Sequence, residues 1–127
     1  MATVLIVEDE KPVRQFLVAA FEQQGHTVLE ASHGRQALNI LAQGSARPDI
    51  VISDIMMPLV GGVELCAILK SDPATAEIPI VLMSAAHPRN STIFLADALI
   101  AKPFDLDALD AVVQRLLTVA RERRALR

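Results

Sequence analysis

The sequence has no tryptophan, no tyrosine, a single cysteine and no excess of basic residues over its 127 positions. Each shortage removes a class of function. With Cys66 alone, neither an intramolecular disulfide nor a multi-thiolate metal site can form, and its setting, Leu65-Cys66-Ala67-Ile68-Leu69, reads as core. Twelve Lys and Arg against fifteen Asp and Glu leave a formal net charge of −3, with a pI near 5.5. That balance lacks the basic surface with which nucleic-acid-binding domains neutralise phosphates, so direct nucleic-acid binding by this domain is not expected. No apolar run approaches the ~20 residues that span a bilayer, and no membrane association is expected. Met1 leads straight into a short apolar run ending in acids, with no basic region before it and no cleavage pattern after it. The expected location is the cytoplasm, where reducing conditions suit a lone thiol.

What is present is ample apolar material: 52% of the residues are hydrophobic, enough to bury one core in a chain of this length. Four short runs, Val4 to Val7, Ile50 to Ile52, Ile80 to Met83 and Leu99 to Ala101, are too brief for helices and predict strands buried on both faces. Thr27 to Leu29, after the Gln24-Gly25-His26 turn, supplies a weaker fifth. Helical patterns alternate with them. The clearest begins at Pro12, places Val13, Phe16, Leu17, Ala20 and Phe21 on one stripe, and ends at Gly25. Arg35 to Gln43 aligns Ala37, Leu38 and Leu41, and Gly62 to Lys70 aligns Val63, Cys66 and Leu69. Asp105 is the expected N-cap of a last helix with Leu106, Leu109, Val113, Leu116 and Leu117 on its stripe. Such alternation predicts an α/β domain with a parallel sheet covered on both sides. One domain is expected over residues 1–120, with the basic residues 121–127 forming either a solvated helix end or the start of a linker.

Ligands of an open parallel sheet bind beyond the carboxyl ends of its strands, so polar residues directly after apolar runs carry the most information. Glu8-Asp9-Glu10 follows the first run, Ser53-Asp54 closes the third, Ser84 closes the fourth and Lys102 follows the fifth. All of them fall on one edge of the predicted sheet. Carboxylates brought together repel unless a cation neutralises them, and a hard, all-oxygen set suits Mg²⁺. Asp54 could attack phosphorus, Lys102 could balance the charge of an incoming phosphoryl group, and the Ser84 hydroxyl could donate to one of its oxygens. Taken singly, each has a plainer reading as a turn residue, a helix cap or a surface charge. Random polar residues would not be expected to cap four strands at one edge with the acid, hydroxyl and cation that phosphoryl chemistry needs.

On these residues the sequence resembles the response-regulator receiver family along nearly its whole length. Val4-Leu5-Ile6-Val7-Glu8-Asp9-Glu10, followed by Pro12 and Arg14, is similar to that family's first strand and acidic pair. Asp54-Ile55-Met56-Met57-Pro58 with the later Gly62 is similar to its phosphoacceptor segment, and Ala101-Lys102-Pro103-Phe104 to its Lys-Pro-Phe signature. The resemblance implies a flavodoxin-like, doubly wound five-stranded parallel sheet of order 2-1-3-4-5 with five helices. It implies that Asp54 accepts a phosphoryl group from a sensor histidine kinase or a phosphotransfer protein. Asp9, Asp54 and the Met56 carbonyl would hold Mg²⁺, with Glu8 acting through water. Ser84 would be the switch hydroxyl, Lys102 the phosphate contact, and a downstream protein or output domain the recipient of the signal. A cis bond before Pro103 is also implied.

Three features depart from the family pattern. Leu99 stands three residues before Lys102, where Tyr or Phe is common; Gly61 stands where an acid is common. The interval from Ser84 to Lys102 is shorter than usual by about one helical turn. The fourth of the five helices is therefore expected to be shortened or irregular, with an atypical output surface around His87 to Asp97. Two other function classes compete with a phosphoacceptor. A phosphatase of the haloacid dehalogenase type also uses a strand-end Asp and Mg²⁺, but it needs a second Asp where Met56 stands. A degenerate receiver would bind a partner without being phosphorylated, against which the complete set of Glu8, Asp9, Asp54, Ser84 and Lys102 argues.

Overall fold

Apolar runs that cannot face water set the centre of this protein, and the strands that carry them lie in the middle of one sheet. The computed structural model describes residues 2–44, 47–85 and 95–126. In chain order the elements are β1 (Thr3–Val7), α1 (Lys11–Gln23), β2 (Thr27–Ala31), α2 (Gly34–Gln43), β3 (Ile50–Asp54), α3 (Gly62–Ser71), β4 (Ile80–Ser84), β5 (Ala98–Ala101) and α4 (Leu106–Ala125). All strand pairs are parallel, in the order β2-β1-β3-β4-β5. This is the doubly wound, flavodoxin-like arrangement expected from the sequence. Four helices occur among the described residues. Most of the segment from His87 to Asp97, where the shortened or irregular helix is expected, lies outside the described residues, which resume at 95.

The period-two alternation of each central strand divides the core into two layers. Val4 and Ile6 of β1, Ile50 and Ile52 of β3, and Val81 and Met83 of β4 face α1 and α4, where they meet Leu17, Phe21, Leu109, Val113 and Leu117. Leu5, Val7, Val51, Ile80 and Leu82 face α2 and α3, where they meet Ala37, Leu65, Cys66 and Leu69. β3 and β4 are buried along their full length because they have neighbours on both edges and helices on both faces. The edge strands β2 and β5 are only partly covered; this is why the β2 sequence gave a weaker signal, and it corrects the reading of Leu99 to Ala101 as buried on both faces, since an edge strand lacks a neighbour on one side and Leu99 is 37% exposed.

The α1 stripe needs one correction. Leu17, Ala20 and Phe21 are buried as expected, but Phe16 is 53% exposed. The sheet covers an arc centred on Leu17 and Phe21, and Phe16 sits at its margin, one step of about 100° away. Its ring instead approaches Phe104, with centroids 6.5 Å apart. The α4 N-cap is as expected, with the Asp105 side chain accepting from the Asp107 backbone N–H.

The loop from β3 to α3 holds Leu59 at φ 69°, the only non-glycine residue with positive φ among the described residues. Left-handed backbone costs a side-chain-bearing residue about 1–2 kcal/mol, and Leu59, 74% exposed, recovers little by packing. Glycine removes that cost but gains unfolded-state entropy, so Leu59→Gly is expected to raise stability by about 0.5–1 kcal/mol. Urea midpoints measure the change, and a lowered midpoint would contradict the account.

Candidate functional site

The parallel sheet delivers Glu8, Asp54, Ser84 and Lys102 to one end because each directly follows, or closes, a strand that points the same way. β1 ends at Val7, and the next residue, Glu8, is fully buried although it is an acid. Its backbone N–H donates to the Ala31 carbonyl at the end of β2 (3.0 Å). Both carboxylate oxygens of Glu8 are engaged: Oε2 accepts from the Glu10 N–H (3.1 Å) and Oε1 from Lys102 Nζ (2.7 Å). Lys102 Nζ also lies 3.3 Å from Asp54 Oδ2, so one ammonium bridges the acids of β1 and β3. The carboxylates of Glu8, Asp9 and Asp54 each offer an oxygen, all within 4.8 Å of one another.

These charges move each other's protonation. Burial pushes the Glu8 carboxyl above its ordinary range; the Lys102 hydrogen bond and the Glu10 N–H pull it down, the Asp54 charge adds to the rise, and the rise wins. For Lys102 burial alone would lower the ammonium, but its hydrogen bond to Glu8 and the charges of Asp54 and Glu8 raise it overall. One cation against three converging carboxylates leaves a net negative, all-oxygen cluster. That donor set fits a hard divalent cation such as Mg²⁺.

The sequence-predicted residues are brought together as follows. Ser84 is buried at the end of β4, in register with Ala101, and its carbonyl accepts from the Lys102 N–H (2.7 Å). This bond fixes Lys102 to β4, and the Lys102-Pro103 peptide is cis. Met56 lies in the loop after Asp54 and is 79% exposed. Ser53 Oγ donates to the Asp54 carbonyl (2.9 Å), and the Ile55 N–H to the Met83 carbonyl (2.9 Å), so the backbone on both sides of the Asp54 side chain is held.

Three features escaped sequence reasoning. Gly62 packs so closely on the Asp54 carbonyl and Ile55 Cα that no Cβ would fit, although the Gly61-Gly62 pair was visible in the sequence as a signal. Arg14 donates to the Glu8 carbonyl (2.8 Å), which no periodicity announces. Phe16, misread as core, lines with Pro12, Val13, Pro103 and Phe104 an open cleft of about 390 Å³ beside Lys102.

Comparison with known proteins bears directly on this arrangement. Residues 4–114 match the response regulator receiver domain family. The chain belongs to that family. A receiver domain of this kind is similar to the phosphate regulon transcriptional regulatory protein PhoB of Pseudomonas aeruginosa, with 35% identity over 119 residues covering 91% of this chain and 51% of that protein. It is likewise similar to histidine kinase P4 of Formosa agariphila, with 36% identity over 91% of this chain and 8% of that protein. The chain thus spans about half of one relative and under a tenth of the other. Among solved structures, the receiver domain of a signal transduction histidine kinase from Syntrophus aciditrophicus has a TM-score of 0.84 at 32% identity, covering 93% of this chain and 91% of that one. The response regulator TrrA of Thermotoga maritima, solved in complex with Mg²⁺-BeF, has a TM-score of 0.82 at 28% identity, covering 91% and 99%.

Proposed function

We propose that this receiver domain accepts a phosphoryl group on Asp54 in a Mg²⁺-dependent reaction and thereby switches the binding of a downstream protein or output domain. The observation that carries the reading is the bridge from Lys102 to Glu8 (2.7 Å) and Asp54 (3.3 Å), beside the exposed carboxylate of Asp9. Asp9, Asp54 and the Met56 carbonyl would hold the ion, with Glu8 acting through water. When bound, Mg²⁺ offsets negative charge on the phosphoryl oxygens. An Asp54 carboxylate oxygen attacks phosphorus in line, the bond to the donor's imidazole nitrogen breaks, and the imidazole leaves with that electron pair. Lys102 donates to a phosphoryl oxygen as a point cation, and the Ser84 hydroxyl donates to another.

The donor in this reading is a sensor histidine kinase or a phosphotransfer protein, in keeping with relatives that are a transcriptional regulator and a histidine kinase. The domain is no enzyme toward external substrates; it catalyses only its own phosphorylation and dephosphorylation. Its place is the cytoplasm, and no helix among the described residues is long and apolar enough to cross a membrane.

Incubation with acetyl phosphate and Mg²⁺ tests the reading by intact mass. One added phosphoryl group per chain is expected, lost on treatment with chelator before the donor is added. No addition would leave the binding-only alternative, while steady release of phosphate from an aryl phosphate would favour a phosphatase. Protons compete with the metal at the raised Glu8 carboxyl, so Mg²⁺ affinity is expected to fall on acidification from above the ordinary glutamate range. Calorimetry over a pH series checks this, and an affinity that holds down to that range would contradict it. Met56 offers no side-chain hydrogen bond to orient an attacking water, which favours a long-lived phosphoryl group. Met56→Asn is expected to shorten its lifetime severalfold in a decay assay; an unchanged lifetime would count against this role.

A further inference from the structure

Asp9 is the exposed member of the acidic cluster, and something other than its own packing must aim it. The residues on either side of it are held by one side chain and one backbone group of Arg14. Arg14 Nη1 donates to the Glu8 carbonyl (2.8 Å), and the Arg14 backbone N–H donates to the Glu10 carbonyl (2.9 Å). Arg14 Nε meanwhile pairs with Glu30 Oε1 on β2 (3.2 Å). The Arg14 side chain is only 15% exposed, against 54% for Glu30, so the guanidinium lies inward and its partner at the rim. The same turn is tied to β2 from its other side by the Glu8 N–H on the Ala31 carbonyl (3.0 Å).

We propose that Arg14 is a positioning residue for the Mg²⁺ site, fixing the Glu8-Asp9 peptide so that the two carboxylates converge with that of Asp54. The inference rests on the proposed Mg²⁺-dependent reading of this site. Two influences of Arg14 oppose each other. Its positive charge would repel a cation, and its bond to the Glu8 carbonyl orders the ligands. The charge is offset by Glu30, whereas the Glu8 carbonyl belongs to a fully buried residue and cannot turn to water for a substitute donor. Ordering therefore outweighs repulsion. Groups that orient metal ligands typically alter affinity by about 10–100-fold when removed.

The test compares wild type, Arg14→Met, Arg14→Lys and Glu30→Gln, measuring Mg²⁺ affinity by calorimetry and the Mg²⁺ dependence of labelling by acetyl phosphate. Arg14→Met keeps an apolar stem in the buried path and removes the guanidinium. It is expected to bind Mg²⁺ about tenfold more weakly while reaching a labelling rate within about twofold of wild type at saturating Mg²⁺. Arg14→Lys keeps the charge but cannot hold Glu8 and Glu30 together, and is expected to recover part of the affinity, remaining about threefold weaker than wild type. Glu30→Gln leaves the bond to Glu8 and should stay within about twofold. Equal or tighter Mg²⁺ binding by Arg14→Met overturns the proposal, as does a lost plateau rate with unchanged affinity. If circular dichroism shows that Arg14→Met is unfolded, Arg14→Lys decides, and wild-type affinity in that variant overturns the proposal. Absence of Mg²⁺ binding in the wild type would overturn the reading of the site itself, and this inference with it.

Discussion

Asp54→Asn is expected to abolish phosphoryl incorporation from acetyl phosphate, leaving no added mass under conditions that fully label the wild type. The substitution keeps the shape of the side chain and exchanges an anionic oxygen nucleophile for a neutral amide, which does not attack phosphorus at a useful rate. The fold should survive, because the bonds that fix this position run through the backbone: Ser53 Oγ to the Asp54 carbonyl and the Ile55 N–H to the Met83 carbonyl. Lys102 would lose its 3.3 Å contact with Asp54 but retain its 2.7 Å bond to Glu8. A melting curve close to wild type therefore accompanies the expected loss of labelling. Labelling equal to wild type would mean that another side chain is the acceptor, and peptide mapping would then identify it.

Gly62→Ala is expected to destabilise the protein by about 3 kcal/mol, near the upper end of what overpacking costs. A Cβ there would collide with the Asp54 carbonyl oxygen and approach Ile55 Cα at 2.8 Å. Both are backbone atoms of a segment held by β4, so neither can move aside as a side-chain tip would. The neighbouring Gly61 is the control: its Cβ would stand 3.2 Å from the Ile55 carbonyl oxygen, a contact that relaxes with a small shift. Gly61→Ala should accordingly cost well under half as much. Urea denaturation of both variants measures the contrast, and equal midpoints for Gly62→Ala and wild type would show that the loop yields where the geometry says it cannot.

How much of this was legible in the sequence depended on whether the signal was local. The buried strands β1, β3 and β4 announced themselves because apolar side chains on both faces leave an unbroken run, and β2 spoke faintly because an edge strand can keep Thr27 and Glu30 in water. The acids and Lys102 were visible as strand-end residues, since a parallel sheet turns the ends of separate runs into one place. Their mutual contacts were not. The Glu8–Lys102 bond joins positions 94 apart in the chain, and a shared sheet edge does not say which side chains touch. Phe16 misled because helical periodicity shows that a residue is near an apolar arc, not where the opposing sheet stops. The Arg14 bond and the close approach of Gly62 depend on backbone atoms, whose positions no side-chain pattern encodes.

The long span of the Glu8–Lys102 bond also bears on the order in which the protein is made. During synthesis Glu8 and Asp9 leave the ribosome before Asp54, while the ammonium that bridges Glu8 and Asp54 belongs to Lys102, translated after all three. A nascent chain therefore carries its acids without their counter-charge, and the pocket becomes electrically complete only as its last strand is laid beside the fourth. A chain that has not yet reached Lys102 lacks this bridge, so the acidic cluster gains its counter-charge together with completion of the sheet.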